Sequence, residues 1–124
     1  MKKSKPSIIG QELSRLRNTF GWSMQGLKVC WVEEKSLRQW VVANVFSWGI
    51  LMTLSWEPTE IVLVVGFGVL TVIVELLNSA IEATVDFVST EHHELAKKAK
   101  DIASGAVMLT GGLWVATWVI IAFA

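Results

Sequence analysis

The chain has 124 residues, of which 52% are hydrophobic and 18% charged, and its formal net charge is zero. This length predicts a single domain spanning residues 1–124, and we expect no nucleic-acid partner. The only cysteine, Cys30, excludes an intrachain disulfide and a cysteine-based metal site. The apolar residues are grouped in long blocks, which is typical of membrane-spanning helices.

The N-terminal region, residues 7–36, predicts a helix that lies on a membrane surface. Ser7 is a candidate N-cap, and apolar residues recur at steps of three or four from Ile9 to Trp31. Basic residues lie off this line, as expected for a helix on an anionic surface. Internal glycines leave open one helix or two, and a packed soluble helix is the alternative. We expect no cleavable signal peptide.

Three apolar blocks follow the N-terminal region. We interpret them as membrane spans over residues 38–56, 61–88 and 101–123. A span needs roughly 20 mostly apolar residues, which the second and third blocks provide. The first is shorter, but Trp40 and Trp56 flank it as membrane-interface anchors would. Residues 57–60 predict a tight turn, so the first two spans form an antiparallel hairpin. Glycines in the later spans predict close approaches between helices.

The basic residues are distributed asymmetrically. Eight of the eleven Lys and Arg residues lie between Lys2 and Arg38, and the other three between Lys97 and Lys100. The positive-inside bias therefore predicts a cytoplasmic N-terminus and an outward-facing C-terminus. The predicted fold class is an all-α membrane protein with three transmembrane helices and an N-terminal amphipathic surface helix.

A polar stripe interrupts the end of the second apolar block. Glu75, Asn78, Glu82 and Asp86 are spaced by three, four and four residues, so a helix projects them from one face. An ionisable group at membrane depth costs several kcal/mol unless it is paired, hydrated or bound to a metal. The stripe is therefore the primary candidate for a functional site.

The polar residues predicted at the cytoplasmic face suit phosphoryl transfer. Carboxylate and amide oxygens are ligands that Mg²⁺ prefers, and nearby lysines can hold polyphosphate. Two alternatives stay open: a zinc site through His92, His93 and the neighbouring acids, and a lysine-rich loop that serves only as a topology signal. The spacings of a phosphate loop or a dinucleotide fingerprint do not occur.

These residues resemble a known family, the small prokaryotic integral-membrane diacylglycerol kinases. The resemblance covers nearly the whole chain from about Arg15. It is carried by Trp22-Ser23, Gly26-Leu27, Trp31, Glu34, Arg38-Gln39, Glu75 to Glu82, Asp86, Glu91 to Leu95 and Ala99 to Asp101. It implies a homotrimeric helical bundle in the bacterial inner membrane that uses ATP and Mg²⁺ to phosphorylate diacylglycerol to phosphatidic acid at the cytoplasmic interface.

The resemblance also implies roles for the acids and the amide. Glu75 matches the general base that takes the proton from the lipid hydroxyl, and Asn78 a polar organiser of the site. Glu34 and Glu82 match the metal-binding acids. All four are expected at the cytoplasmic end of the bundle.

Further matches concern the nucleotide. Lys100 matches a phosphate-contacting lysine with Asp101 beside it, and Glu91 and His93 match positions near the adenine. Arg15 falls where the family has a basic residue near the nucleotide. These five residues, together with Trp22, are the implied ATP contacts.

Two positions depart from the family pattern. Trp22 stands where tyrosine is expected, which keeps a stacking face for the adenine but loses the hydroxyl. Trp40 stands where glutamate is expected, and we interpret it as an interface anchor. A neighbouring family branch phosphorylates undecaprenol, and a small oligomeric ion or proton channel is an alternative of another class. The block from Glu91 to Leu95 favours the diacylglycerol branch, and the apolar outer halves of the spans disfavour a conduction path.

Overall fold

A computed structural model describes residues 8–88 and 91–123, and in these residues all regular structure is α-helical. This confirms the all-α prediction, while the candidate cap Ser7 lies outside the described residues. The four helices are α1 (Ile8–Glu33), α2 (Lys35–Leu51), α3 (Pro58–Val88) and α4 (Glu94–Phe123).

The N-terminal helix α1 forms a compact unit of its own. It is continuous through Gly21 and Gly26, so the choice between one helix and two is decided in favour of one. Its large apolar side chains, such as Leu13 and Phe20, are exposed. The apolar stripe predicted from the sequence is therefore available for contact with another apolar surface.

The beginning of α3 follows from its first residues. Pro58 takes the first helical position, where its missing N–H costs nothing and its fixed φ suits the helix. The Glu60 carboxylate accepts a hydrogen bond from the backbone N–H of Glu57 at 2.9 Å, as the acid of a capping box does. Residues 58–60, predicted as part of a turn, thus form the first turn of α3.

Helix α3 packs against both α2 and α4, and the interior between them is unusually polar. The buried apolar residues are Leu37, Val64, Ala103, Val107 and Trp114. The buried polar residues are Asn44, Ser47, Thr71, Glu75, Asn78 and Thr117. Large apolar side chains instead cover the outer faces of α3 and α4. Polar residues inside and apolar residues outside are typical of helices that face lipid or neighbouring subunits.

One glycine allows an especially close approach between α2 and α3. The Asn44 side-chain amide donates to the carbonyl of Gly68 at 3.1 Å and to the carbonyl of Trp40 at 3.0 Å. A Cβ added to Gly68 would collide with the Asn44 side chain and lie 3.0 Å from Cε2 of Trp114. This position and Gly111 confirm the predicted close approaches, whereas added Cβ atoms at the other three glycines of α3 and α4 meet no described atom within 4 Å.

Two of the described helices, α3 and α4, are long and apolar enough to cross a membrane. Helix α2 has 17 residues, about 26 Å of rise, and falls short of the roughly 20 that a span requires. The span predicted over residues 38–56 therefore stays a prediction. The span predicted over residues 101–123 lies within α4, which begins earlier, at Glu94.

The two flanking tryptophans contact α4, and their predicted role as membrane-interface anchors stays a prediction. Trp40 lies against Trp114, with ring centroids 6.4 Å apart, and Trp56 meets Trp118 edge-to-face at 5.6 Å. Both rings are half-buried and contact α4, so they join elements of this bundle. The sequence could not reveal this because each contact joins residues more than 60 positions apart.

Candidate functional site

A cleft of about 700 Å³ lies among α2, α3 and α4. Three members of the polar stripe open into it from α3, because their helical spacing places them on one face. The residues that line it are Ser36, Trp40, Glu75, Asn78, Glu82, Ser104, Val107, Met108, Gly111, Gly112 and Val115. The structure thus brings together the predicted base, the predicted organiser and one predicted metal ligand.

Glu75 is the most enclosed acid of the cleft, with only 3% of its surface exposed. Its carboxylate accepts a hydrogen bond from the Ser36 hydroxyl of α2. The described contacts of this carboxylate include no Lys or Arg. An acid that is buried, oriented by one hydroxyl donor and open to a cleft is suited to accept a proton from a bound hydroxyl group.

Asn78 and Glu82 form a second polar pair, one turn further along α3. The Asn78 amide donates to the Glu82 carboxylate at 3.1 Å. The Asn78 Oδ1 atom is buried and finds no hydrogen-bond partner among the described residues. A buried carbonyl oxygen without a partner costs about 1–3 kcal/mol, so this atom is a candidate ligand for a cation or a bound hydroxyl group.

A second cleft, of about 380 Å³, lies where α3 ends and α4 begins. It is lined by Val85, Asp86, Glu91, His92, His93, Ala96, Lys97, Lys100 and Asp101. Lys100 contacts the Asp86 carboxylate at 2.6 Å, and Lys97 pairs with Asp101 one turn along the same helix. Four of the predicted nucleotide contacts therefore share one cleft, and both of its lysines carry carboxylate partners.

The imidazole of His93 has a structural role at the start of α4. Its Nδ1 atom accepts the backbone N–H of Leu95 at 3.1 Å. The backbone carbonyl of His93 accepts the N–H of Lys97, which begins the helix. Because the hydrogen bond from Leu95 occupies Nδ1, Nε2 is the ring nitrogen of His93 that a ligand could contact.

The remaining predicted residues lie outside these two clefts. Glu34 occupies the N-cap position of α2 in an extended conformation, and its side chain makes no capping bond. Arg15 and Trp22 lie on α1, where Arg15 stands 3.9 Å from Glu12 and Trp22 is 67% exposed. As α1 is a separate unit, their part in nucleotide binding stays a prediction.

The donor set of the larger cleft fits Mg²⁺ better than zinc. In residues 8–88 and 91–123 no group of three or more His, Cys, Asp or Glu side chains could hold a metal. Structural and catalytic zinc sites need at least three such ligands. Mg²⁺ is commonly bound through one or two carboxylates, with waters and substrate phosphates completing its shell, and Glu82 and the unpartnered Asn78 Oδ1 supply oxygens of that kind.

Sequence reasoning missed the two residues that α2 contributes to the larger cleft, Ser36 and Trp40. Ser36, the partner of Glu75, lies at a similar distance from the connection between α2 and α3 as Glu75 does. The predicted antiparallel hairpin could therefore have placed the two at one depth. Trp40 carried no such signal, since its position depends on its contact with α4.

The fold and the candidate site together define the class of protein to which this chain belongs. The chain is an all-helical protein with an apolar exterior, two helices able to cross a membrane, and a carboxylate and amide cleft near a lysine-bearing one. Comparison with known proteins narrows this class. The prokaryotic diacylglycerol kinase family matches residues 21–122.

Curated relatives agree with that match. The chain is 39% identical to a diacylglycerol kinase of Escherichia coli over 87% of its own length and 88% of the relative. It is 41% identical to one of Pseudomonas aeruginosa, covering 86% of each chain. It is also 41% identical to one of Helicobacter pylori, over 84% of this chain and 81% of that one. The chain belongs to the prokaryotic diacylglycerol kinase family, and it is a lipid kinase.

Proposed function

We propose that this chain transfers the γ-phosphoryl group of ATP to the free hydroxyl of diacylglycerol, which yields phosphatidic acid and ADP at the cytoplasmic face of the membrane. The observation that carries the proposal is the buried carboxylate of Glu75, held by Ser36 and open to a cleft. The family match and the names of the relatives support the acceptor.

In this proposal Glu75 is the general base. Its carboxylate takes the proton as the lipid hydroxyl oxygen bonds to the γ-phosphorus, and the bond from that phosphorus to the bridging oxygen of ADP breaks. The Ser36 hydroxyl orients one carboxylate oxygen. Such a positioned base contributes about 10²–10⁴-fold to the rate.

We further propose that Mg²⁺ is held by Glu82, Glu34 and the Asn78 carbonyl oxygen. The support is the oxygen donor set and the unpartnered Asn78 Oδ1 atom. The cation would neutralise charge on the β- and γ-phosphates. Asn78 also donates to Glu82, which orients that carboxylate toward the cleft.

The second cleft is proposed as the nucleotide site. Lys100 contacts the phosphates there, with Asp101 beside it, and Glu91 and His93 lie near the adenine. Before ATP binds, Lys100 pairs with Asp86, so phosphate oxygens would replace the Asp86 carboxylate as its partner. From α1, Arg15 and Trp22 would complete the nucleotide contacts.

The proposed assembly is a homotrimer in the bacterial inner membrane. Each protomer would contribute α2, α3 and α4 as spans and α1 as a surface helix, with the N-terminus in the cytoplasm. Large apolar side chains are exposed on the outer faces of α3 and α4. They support contact with lipid or with neighbouring protomers, because soluble monomers rarely expose contiguous apolar surface of large area.

A direct assay tests the acceptor. Purified protein in mixed micelles with radiolabelled ATP and Mg²⁺ is offered diacylglycerol and undecaprenol in separate reactions. We expect phosphatidic acid from the reaction with diacylglycerol and little product from the reaction with undecaprenol, with Glu75→Gln as the inactive control. Product from undecaprenol alone would assign the chain to the neighbouring activity, and product from neither would refute the kinase assignment of this site.

Chain mixing tests whether neighbouring protomers share a site. Inactive Glu34→Ala and Glu75→Ala chains are unfolded, mixed equally and reassembled. If a site takes Glu34 from one chain and Glu75 from the next, about three-quarters of the rings are mixed and each has one intact site of three, so roughly a quarter of wild-type activity returns. No recovery, after a control that the chains exchange, would refute sharing.

A further inference from the structure

Contacts between α3 and α4 show how far along the bundle each residue of the larger cleft lies. At one end Lys100 of α4 contacts Asp86 of α3 at 2.6 Å. Further along, Trp114 of α4 lies beside Gly68 of α3, where an added Cβ would be 3.0 Å from the indole. The helices are therefore antiparallel, and the cleft lies between these two contacts.

Along this axis the cleft changes from polar to apolar. Glu82, Asn78 and Glu75 follow one another from the end nearer Lys100. Beyond Glu75 the lining continues with the indole of Trp40 and with apolar residues of α4. A ligand with a polar head and an apolar tail matches this order, because burial of its tail at the apolar end is favourable.

The Trp40 indole is fixed in place at the start of the apolar part. Its edge lies on the backbone of Gly111, where an added Cβ would be 2.5 Å from Cη2 and 3.1 Å from Cζ2. On another side it contacts the ring of Trp114. The indole is therefore a wall of defined position rather than a mobile surface group.

The position of this wall matches the geometry of a glycerolipid. Trp40 follows Ser36 by one helical turn, a rise of about 6 Å, and Ser36 donates to Glu75. In a diacylglycerol the nearer ester carbonyl lies four bonds from the free hydroxyl, roughly 5 Å and so about one helical turn away. With the hydroxyl at Glu75, the acyl chain begins beside the indole.

We propose that Trp40, seated on Gly111, is a specificity-determining residue that selects acceptor lipids by the width of the acyl chain next to its carbonyl. This inference rests on the proposed phosphorylation of diacylglycerol at Glu75 and deepens it. The wall admits an unbranched chain and hinders a chain branched at the first carbons. Trp40 thus selects the acceptor lipid by the shape of its acyl chain, about one helical turn away from the reacting hydroxyl.

The test compares two acceptors that differ only there: dioctanoylglycerol and its analogue with a methyl branch on the carbon next to each carbonyl. Wild-type protein should prefer the straight chain in kcat/KM. Trp40→Ala should reduce this preference at least about tenfold, since one methyl group in an apolar pocket changes kcat/KM by 10-fold or more. The KM for ATP should stay within about twofold.

Glycine variants provide an independent readout. Gly111→Ala pushes the indole toward the cleft and should lower kcat/KM for both acceptors, more for the branched one. Gly105→Ala is the matched control on α4, because its Cβ would meet no described atom within 4 Å and it does not line the cleft. Should Trp40→Ala fail to fold, Trp40→Phe should shift the preference in the same direction by a smaller factor.

The outcomes separate this inference from the function on which it rests. If wild-type protein phosphorylates neither acceptor, the proposed function fails and the inference fails with it. If it phosphorylates dioctanoylglycerol, but Trp40→Ala or Trp40→Phe keeps the wild-type preference, only the role of Trp40 is overturned. A reduced preference with unchanged KM for ATP supports it.

Discussion

Replacement of Glu75 by glutamine separates proton transfer from packing. The amide has nearly the same shape and keeps an oxygen that can accept the Ser36 hydroxyl, so the bond between α2 and α3 survives. It cannot take a proton from the acceptor lipid at neutral pH. We therefore expect a fall in kcat of about 10²–10⁴-fold, which corresponds to roughly 3–5 kcal/mol in activation free energy.

The structure indicates that folding should tolerate this change. Glu75 is buried and the described residues place no Lys or Arg against it, so a neutral amide removes a desolvated charge without leaving a cation unpaired. The unfolding midpoint of Glu75→Gln in detergent should equal or exceed that of wild type. ATP binding, measured by calorimetry, should be unchanged because the proposed nucleotide cleft does not include this residue.

The assay is radiolabelled phosphate transfer to diacylglycerol in mixed micelles, with Ser36→Ala as a graded companion. Ser36→Ala keeps the base but removes its orienting donor, so its kcat should fall less than that of Glu75→Gln. A Glu75→Gln enzyme with more than a tenth of the wild-type kcat would refute the base role. A folded Ser36→Ala enzyme with a kcat as low as that of Glu75→Gln would refute the expected order of the two kcat values.

The remaining predictions concern the metal, the nucleotide and packing. Glu82→Ala should raise the Mg²⁺ concentration for half-maximal rate, measured by Mg²⁺ titration, because it removes one oxygen ligand. An unchanged titration would contradict the assignment of Glu82 as a metal ligand. Lys100→Ala should raise the KM for ATP with little change in the Mg²⁺ titration, and equal effects on both would contradict its assignment. Gly68→Ala should lower stability by about 1–3 kcal/mol by overpacking against Asn44, whereas Gly66→Ala should not; equal denaturation midpoints for the two variants would contradict the packing described.

The polarity of the bundle bears on all these variants. Inside, Asn44 and Ser47 of α2 hydrogen-bond to α3 and α4, through the Gly68 carbonyl and the Trp118 indole. Outside, large apolar side chains dominate. In an apolar solvent such polar contacts join helices where the hydrophobic effect does not. We therefore expect stability measurements in detergent to report mainly on these inner contacts.

The sequence by itself determined the features that depend on near neighbours in the chain. The spacing of Glu75, Asn78 and Glu82 placed them on one face, because the helical period is a local property of the backbone. The apolar blocks predicted three membrane spans for the same reason, and the helices that contain the second and third are long and apolar enough to cross a membrane. The first turn of α3 has an equally local cause in Pro58 and Glu60, but these residues also fit the turn predicted there, so the helix begins three residues before the predicted span.

Only the tertiary structure decided which of these faces meet. Ser36 reaches Glu75 across 39 positions of chain, and Trp40 reaches Trp114 across more than 70. Such contacts depend on the rotation and axial shift of one helix against another, which residue spacing within each helix does not specify. A tryptophan at the end of an apolar block has the same local pattern whether it faces lipid or a glycine of another helix. Here the backbone of Gly111 leaves room for the indole, and that contact makes Trp40 a wall of the cleft.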